Sequence, residues 1–368
     1  GYTLYTCSAD EQSGTQALLI DMRHRLVHRW SMDFSKIRPE RHESSRTGRS
    51  ACFFGTYLYP NGDLLVVFHG RSSQDVGLAK LDAQSNLVWF RPETIHHDVD
   101  VAEDGTIYAL QKEICRVPPA GVERVRLPCA LDLLLALSPD GKLLRTPISI
   151  LEAFRDSPYA ELLAAIEEPD QSHQPPAGST AQCATPLVFR DASGINDALH
   201  LNCVRSLSSE LAAKFPAFKA GQVLISLRNP SVIAMLDPLR GRVVWAARGP
   251  WLAQHDPQFL DNGHLLIFDN LGSPRGSRVL EFDPRTQAIP WSYSGSAAGS
   301  FYTSERGMSQ RLPNGNTFIV DSEGGEMIEV TSDGEGVWSY SLDRFIASGR
   351  RYAPEQLPFL APGTRPRP

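Results

Sequence analysis

Two histidines hold the same place in two copies of one sequence unit. His255 lies in "QHDPQFLDNGHLLIFDN" (254–270) and His97 in "IHHDVDVAEDGTIYAL" (95–110). Each stands seven residues before the first residue of its turn, Asn262 or Asp104. A third, His200, opens another unit, "ALHLNCV". A neutral imidazole can attack an electrophile, and it can carry a proton near neutral pH. Arginines accompany the histidines: Arg275 and Arg278 in "FDNLGSPRGSRVLEF", and Arg306 in "FYTSERGMSQRLPNGN". A guanidinium beside imidazoles is a common arrangement for holding an anionic group. His97, His200, His255 and Arg275 are therefore the candidate catalytic set, and Arg275, Arg278 and Arg306 the candidate anion-binding set. Three histidines match a metal site by composition, but no spacing supports one, so neither metal nor cofactor is expected.

The elements around these residues are short strands joined by Asn-Gly and Asp-Gly turns, which accept the positive φ of tight hairpins. Such units read "YPNGDLLVVF", "AEDGTIYAL", "LSPDGKLLR", "LDNGHLLIFD" and "LPNGNTFIVD". Four units run on to a tryptophan, and Trp245, Trp291 and Trp338 are 46 and 47 residues apart. An all-strand period in the forties predicts an all-β fold, a propeller. The expected form is six four-stranded antiparallel blades with short helical insertions, beginning near 59, 97, 131, 200, 255 and 309. The segment 17–31 has the form of a half blade and is expected to close the ring with C-terminal strands, which removes exposed edges. One propeller domain over 1–352 follows. Residues 148–182 form a helical and loop insertion, 208–218 a second short one, and 353–368 a proline-rich tail. In a propeller, residues just ahead of the inner strands gather at one mouth of the channel. His97, His200 and His255 should meet there.

The formal net charge of −6 argues against a nucleic-acid partner. No apolar run is long enough to span a membrane. The chain begins at Gly1 rather than Met, so a processed export signal or a membrane anchor outside this chain is an expectation. Six cysteines without a CxxC pair exclude a zinc ribbon and leave two readings, buried thiols or disulfides of an oxidising compartment. Cys115–Cys129 is the most local candidate bridge. The basic loop 36–49 reads as a solvated run.

The strings "QHDPQFLDNGHLLIFDN…RGSRVLEFDP", "QRLPNGNTFIVDSEGGEMIEVTSDGEGVWSY", "HLNCV" and "LIDMRHRLVHRW" together resemble the bacterial aryl-sulfate sulfotransferase family, from about residue 17 to 340. The resemblance implies a six-bladed propeller exported to the bacterial periplasm or cell envelope. It implies transfer of a sulfuryl group between phenols without a nucleotide donor, through a transiently sulfated channel histidine helped by two more histidines and an arginine. The ligand would be a small aryl sulfate, a phenol or another anion. By motif, supporting roles carry over to His200 and His255, and the arginine to Arg275, with Arg278 in reserve. The family's nucleophilic histidine belongs in the last blade, where this chain has Gly307 between Arg306 and Met308. Two functions follow: an enzyme using His97 or His255 as nucleophile, or a non-catalytic propeller docking on a protein partner.

Overall fold

Strands alternating with positive-φ turns leave each hairpin with two faces to bury, and stacking hairpin pairs radially buries both. A computed structural model describes residues 1–8, 15–32, 52–69, 76–117, 125–166, 194–274, 276–295 and 301–361. Arg275, Cys183, the loop 36–49, residues 167–182 and the tail beyond 361 lie outside the described residues.

The architecture is a ring of six four-stranded antiparallel sheets, a β-propeller. Blade one comprises Cys52–Leu58, Leu64–His69, Val76–Leu81 and Leu87–Arg91. Blade two comprises Ile95–Val101, Ile107–Cys115, Cys129–Leu137 and Ile148–Ser149. Blade three comprises Leu201–Ser206, Val223–Leu227, Val232–Asp237 and Arg242–Arg248. Blade four comprises His255–Phe259, Leu265–Ser273, Gly276–Phe282 and Trp291–Tyr293, and blade five Met308–Arg311, Thr317–Asp321, Glu326–Val330 and Gly336–Ser341. Blade six joins the chain ends: Ile346–Tyr352 pairs with Tyr2–Cys7, then come Thr15–Asp21 and Leu26–Met32. The first-named strand of each blade lines the channel, and these strands touch one another around the ring.

The continuous apolar runs belong to the middle strands. Leu64–Phe68 and Val223–Leu227 are buried on both faces because neighbouring blades cover each side. The glycines of the inner turns, Gly62, Gly105, Gly263 and Gly315, have φ of 84° to 90°, which a side chain would strain. The repeated tryptophans staple blades together. Trp30 Nε1 donates to Gly62 O (2.9 Å), Trp89 to Pro139 O (3.2 Å), Trp291 to Ser332 O (2.8 Å) and Trp338 to Met22 O (3.2 Å). Each bond runs from a fourth strand to a turn of the following blade, so a long-range contact underlies the sequence period.

The sequence count needs two changes. The segment near 131 is not a blade: Cys129–Leu137 is the third strand of blade two, and "PDGK" turns it into a short fourth. The sixth blade is the ring-closing one, whose inner pair, Ile346–Tyr352 and Tyr2–Cys7, has no turn signal because it is not a hairpin. Blade two carries no tryptophan on its two-residue outer strand. The helix Ile150–Arg155, capped by the Ser149 side chain, instead buries Ile150 and Phe154 in the core shared with blade three.

Candidate active site at one mouth of the channel

The inner strands of blades one to four all carry a bulge at their start: Phe53/Thr56, His96/Val99, Leu201/Cys203 and His255/Gln258. A bulge inserts a residue into the ladder and re-aims side chains. His97 and His200 have positive φ here, 57° and 53°, as does Arg306 at 66°.

His97 and His200 meet across the channel mouth, Nε2 to Nε2 at 3.1 Å. His200 Nδ1 donates to Asp197 Oδ2 (2.6 Å), and Lys112 Nζ donates to the same oxygen (2.5 Å). Burial alone would raise the Asp197 carboxyl, but the bonds from His200 and Lys112 hold it well below the usual carboxylate range. On its other side His97 Nδ1 lies 2.7 Å from His96 Nδ1.

His255 is arranged differently. Its Nδ1 faces Asn270 Oδ1 (2.8 Å) and Ala253 O (3.1 Å), two acceptors, so this nitrogen carries the hydrogen. Asn270 is itself fixed by donating to Thr303 O (2.9 Å) and Arg306 O (2.7 Å). Nε2 is left as a bare lone pair with no hydrogen bond to any described residue. Burial depresses the His255 pKa well below 6.5. The Asn270 bond opposes this, and the charges of Arg228, His200 and Arg306 add to it.

Arg306 completes the mouth. Its guanidinium carbon sits 4.0 Å from the Phe54 ring centroid, and Nε and Nη2 are buried without a hydrogen-bond partner. Burial lowers its pKa to about 10, against the pull of Cys52, Asp98, Asp256 and Glu305. A stacked, still charged guanidinium with two unused donors is built for an anion.

Below this layer a buried ion-pair bridge crosses the channel. Arg205 donates to Asp98 Oδ2 and to Asp256 Oδ1 (2.5 Å), joining blades two, three and four. Asp98 also accepts from Val204 N (3.1 Å), and Asp256 from Ser309 N (3.1 Å). Beyond the bridge, at the far ends of the inner strands, lies a separate cavity of about 330 Å³. Asp98, Arg205, Tyr57, Asp100, Gln310 and Arg350 are among its lining residues.

The structure thus brings together His97, His200, His255 and Arg306. Arg278 is engaged by other partners: Nε donates to the buried Asp269 (2.7 Å) and Nη2 to Pro250 O (2.6 Å). Arg275 lies outside the described residues. Phe54, His96, Asp132, Asp197, Lys112 and Asn270 were not singled out from the sequence. Phe54 had a signal, since it stands seven residues before Asn61, the same register as His97, His255 and Gly307. Among the described residues no group of His, Cys, Asp and Glu is arranged to hold a metal.

The disulfide expectation is overturned for the described cysteines. Cys115 and Cys129 are cross-strand partners, yet both are free thiols, with Cys115 Sγ turned to Val117 O (2.5 Å). Cys52 and Cys203 are free thiols as well.

A family model described as arylsulfotransferase (ASST) matches residues 57–343, most of the ring and the mouth residues described above other than Phe54. The chain belongs to the arylsulfotransferase family. No curated protein matches it. Among solved structures, this arylsulfotransferase-family chain is similar to a protein of unknown function from Bacteroides caccae. The two are 11% identical, covering 95% of this chain and 97% of that one at a TM-score of 0.57, which supports the propeller fold alone. A streptogramin B lyase matches at 10% identity over 92% of this chain and 83% of that one, with a TM-score of 0.45.

The family pattern suggests restoring a last-blade histidine at Gly307, but the arylsulfotransferase-family mouth found here has no room for it. Gly307 has φ of 87°, and a Cβ there would fall inside the van der Waals envelope of the Phe268 ring. Gly307→His should therefore destabilise the fold by roughly 2–5 kcal/mol, through left-handed strain and overpacking. Thermal melts of wild type and variant check this; an unchanged midpoint would refute it.

Proposed function

We propose that the protein moves a sulfuryl group from an aryl sulfate to a phenol, with His255 as the nucleophile. The observation that carries this reading is the His255 ring, anchored at Nδ1 by Asn270 and bare at Nε2, beside an arginine whose donors are unused. Transfer of such a group is mainly a matter of positioning and charge stabilisation. Arg306 would hold the sulfuryl oxygens, and Phe54 would offer a face to the aryl ring. His255 Nε2 would take the sulfuryl group as the ester oxygen leaves, and His97 Nε2–H, held by His200, would protonate that oxygen. The acceptor phenol would reverse these roles in the second half-reaction. Export to the bacterial envelope belongs to the same reading.

The nucleophile must be neutral. Because His255 is held well below 6.5, it stays neutral until pH falls through that lowered value. With a donor whose phenolate leaves without protonation, the kcat/KM profile should therefore show no acid limb at 6.5 and fall only at more acidic pH. An acid limb centred at or above 6.5 would exclude His255 as the titrating nucleophile.

The second reading, a non-catalytic propeller that binds an anion or a protein partner, is favoured by Gly307 alone. Turnover of a chromogenic aryl sulfate with a phenol acceptor separates the two. Sustained turnover that depends on His255 refutes the binding reading, and its absence across a broad donor panel refutes the enzyme reading.

A further inference from the structure

Behind the channel pair, the histidine contacts continue into the protein. His96 is 4% exposed and Asp132 1%. His96 Nε2 lies 3.4 Å from Asp132 Oδ1, and beyond that contact the ring has only a loose approach to the Gln111 carbonyl and the carboxyl only one from the Leu201 N–H. The order of atoms is Lys112–Asp197–His200–His97–His96–Asp132.

The hydrogen positions in this line are constrained. Asp197 is ionised and only accepts, so His200 carries hydrogen on Nδ1 and, when neutral, is bare at Nε2. His97 must then donate from Nε2, which leaves its Nδ1 bare. His96 must donate from Nδ1 into that contact, which leaves its own Nε2 bare. A bare nitrogen facing a carboxylate oxygen in a dry site is repulsive unless the carboxyl holds a proton. Three neutral imidazoles therefore favour a protonated Asp132. The same sites allow no other arrangement without a charged histidine or a contact lacking its hydrogen.

We infer that Asp132 and His96 form a buried proton store that serves the channel histidines between the two half-reactions. The inference rests on the sulfuryl-transfer reading for its use, though not for its existence. In the first half-reaction the Asp132 proton passes to His96 Nε2, the His96 Nδ1 proton to His97 Nδ1, and the His97 Nε2 proton breaks from its contact with His200 and passes to the leaving phenolate oxygen, whose new O–H then donates to the nitrogens freed. Three bonds to hydrogen break and three form. The products are a neutral phenol and an Asp132 carboxylate, with no proton taken from solvent. The acceptor phenol gives its proton to His97 Nε2 in the second half-reaction, and the line runs backwards to reload Asp132. Burial pushes the Asp132 carboxyl up to about 6, against the pull of the Lys112 charge and with the Asp197 charge adding to the push. The store is thus loaded on the acid side of that value, where the His96 and His97 rings stay neutral because burial lowers their own pKa values.

Asp132 and His96 touch no substrate, so they act through His97, and the test needs readouts that a structural role would leave unmoved. The first is nitrogen-15 NMR of the histidine-labelled wild-type protein in mildly acidic buffer, below the Asp132 value. Hydrogen on Nδ1 of His96 and on Nε2 of His97 is expected. Hydrogen on His96 Nε2, turned towards the neighbouring Gln111 backbone, would overturn the proposal whether or not the protein is an enzyme. The second is Asp132→Asn, whose amide can still donate to His96 but cannot release a proton. With donors whose phenols are weak acids, kcat should fall about 10- to 100-fold with KM unchanged. With a donor such as 4-nitrophenyl sulfate, whose phenolate leaves without protonation, kcat should barely change. An equal loss for all donors, or no loss for any, would overturn it. Inactivity of the wild type towards every aryl sulfate, with the stated NMR pattern, would sink the transfer reading and leave the store standing.

Discussion

His255→Ala should lose at least about a thousandfold in kcat for phenol-to-phenol transfer while keeping the fold, because on the proposed mechanism it removes the attacking atom and not merely a contact. Of the three channel histidines, only His255 has an unengaged nitrogen. His97 is bonded at both nitrogens, to His96 and His200, and His200 is bonded to Asp197 and His97. Alanine at His97 or His200 should therefore act chiefly through protonation of the leaving oxygen, with a loss of about 10²- to 10⁴-fold that shrinks for acidic phenols. Single-turnover measurements with an aryl sulfate distinguish the cases. His255→Ala should release no burst of phenol and carry no sulfuryl label, whereas His200→Ala should still become labelled, only slowly. A labelled His255→Ala protein would overturn the assignment. Asn270→Ala supplies a milder check, since it frees the His255 ring and its tautomer without removing the nucleophile.

Arg205→Met should be the most destabilising single change in the channel, by about 3–5 kcal/mol, because it leaves two buried carboxylates without their shared cation. Asp98 and Asp256 are 7% and 4% exposed, and each keeps only neutral hydrogen-bond donors once the guanidinium is gone. The loss should be smaller in acid. Burial already raises the Asp256 pKa in the wild type, with Arg205 pulling it down, and removing Arg205 raises it further. A folded-state pKa above the unfolded value favours the folded protein at low pH and is felt as a penalty as pH rises through it. Adding Asp98→Asn and Asp256→Asn to Arg205→Met should restore much of the stability. Denaturant melts at neutral and mildly acid pH test this; a pH-independent loss, or no recovery in the triple variant, would show that the bridge is not the cause.

The ring was legible in the sequence because its signals are local: Asn-Gly and Asp-Gly turns and a tryptophan on every outer strand but that of blade two. It failed where a local signal was absent or duplicated. "LSPDGK" carries a hairpin turn inside blade two, which made a false blade near 131. The pair formed by the two ends of the chain has no turn at all. The mouth was legible through register, since counting seven residues back from each turn gives Phe54, His97, His255 and Gly307. What lies behind it was not. Asp132 and Lys112 sit on the third and second strands of blade two, and Asp197 lies ahead of blade three. Their meeting depends on how the blades stack, which no spacing encodes. Arg306 was named for its place beside Gly307, but its importance comes from the Phe54 ring across the mouth, a contact between residues 252 positions apart.

The Arg205 bridge has a consequence for traffic. With the inner strands of blades two, three and four tied together at Asp98 and Asp256, two carboxylates stand between the histidine mouth and the cavity beyond it, and an anion is better held at the mouth than past them. On the sulfuryl-transfer reading, the spent phenol would leave by the mouth through which its sulfate ester came in, and the next phenol would wait until it had gone. On that reading spent and incoming phenols would compete for the same berth, so the better of them as an acceptor would also determine how often the reaction undoes itself.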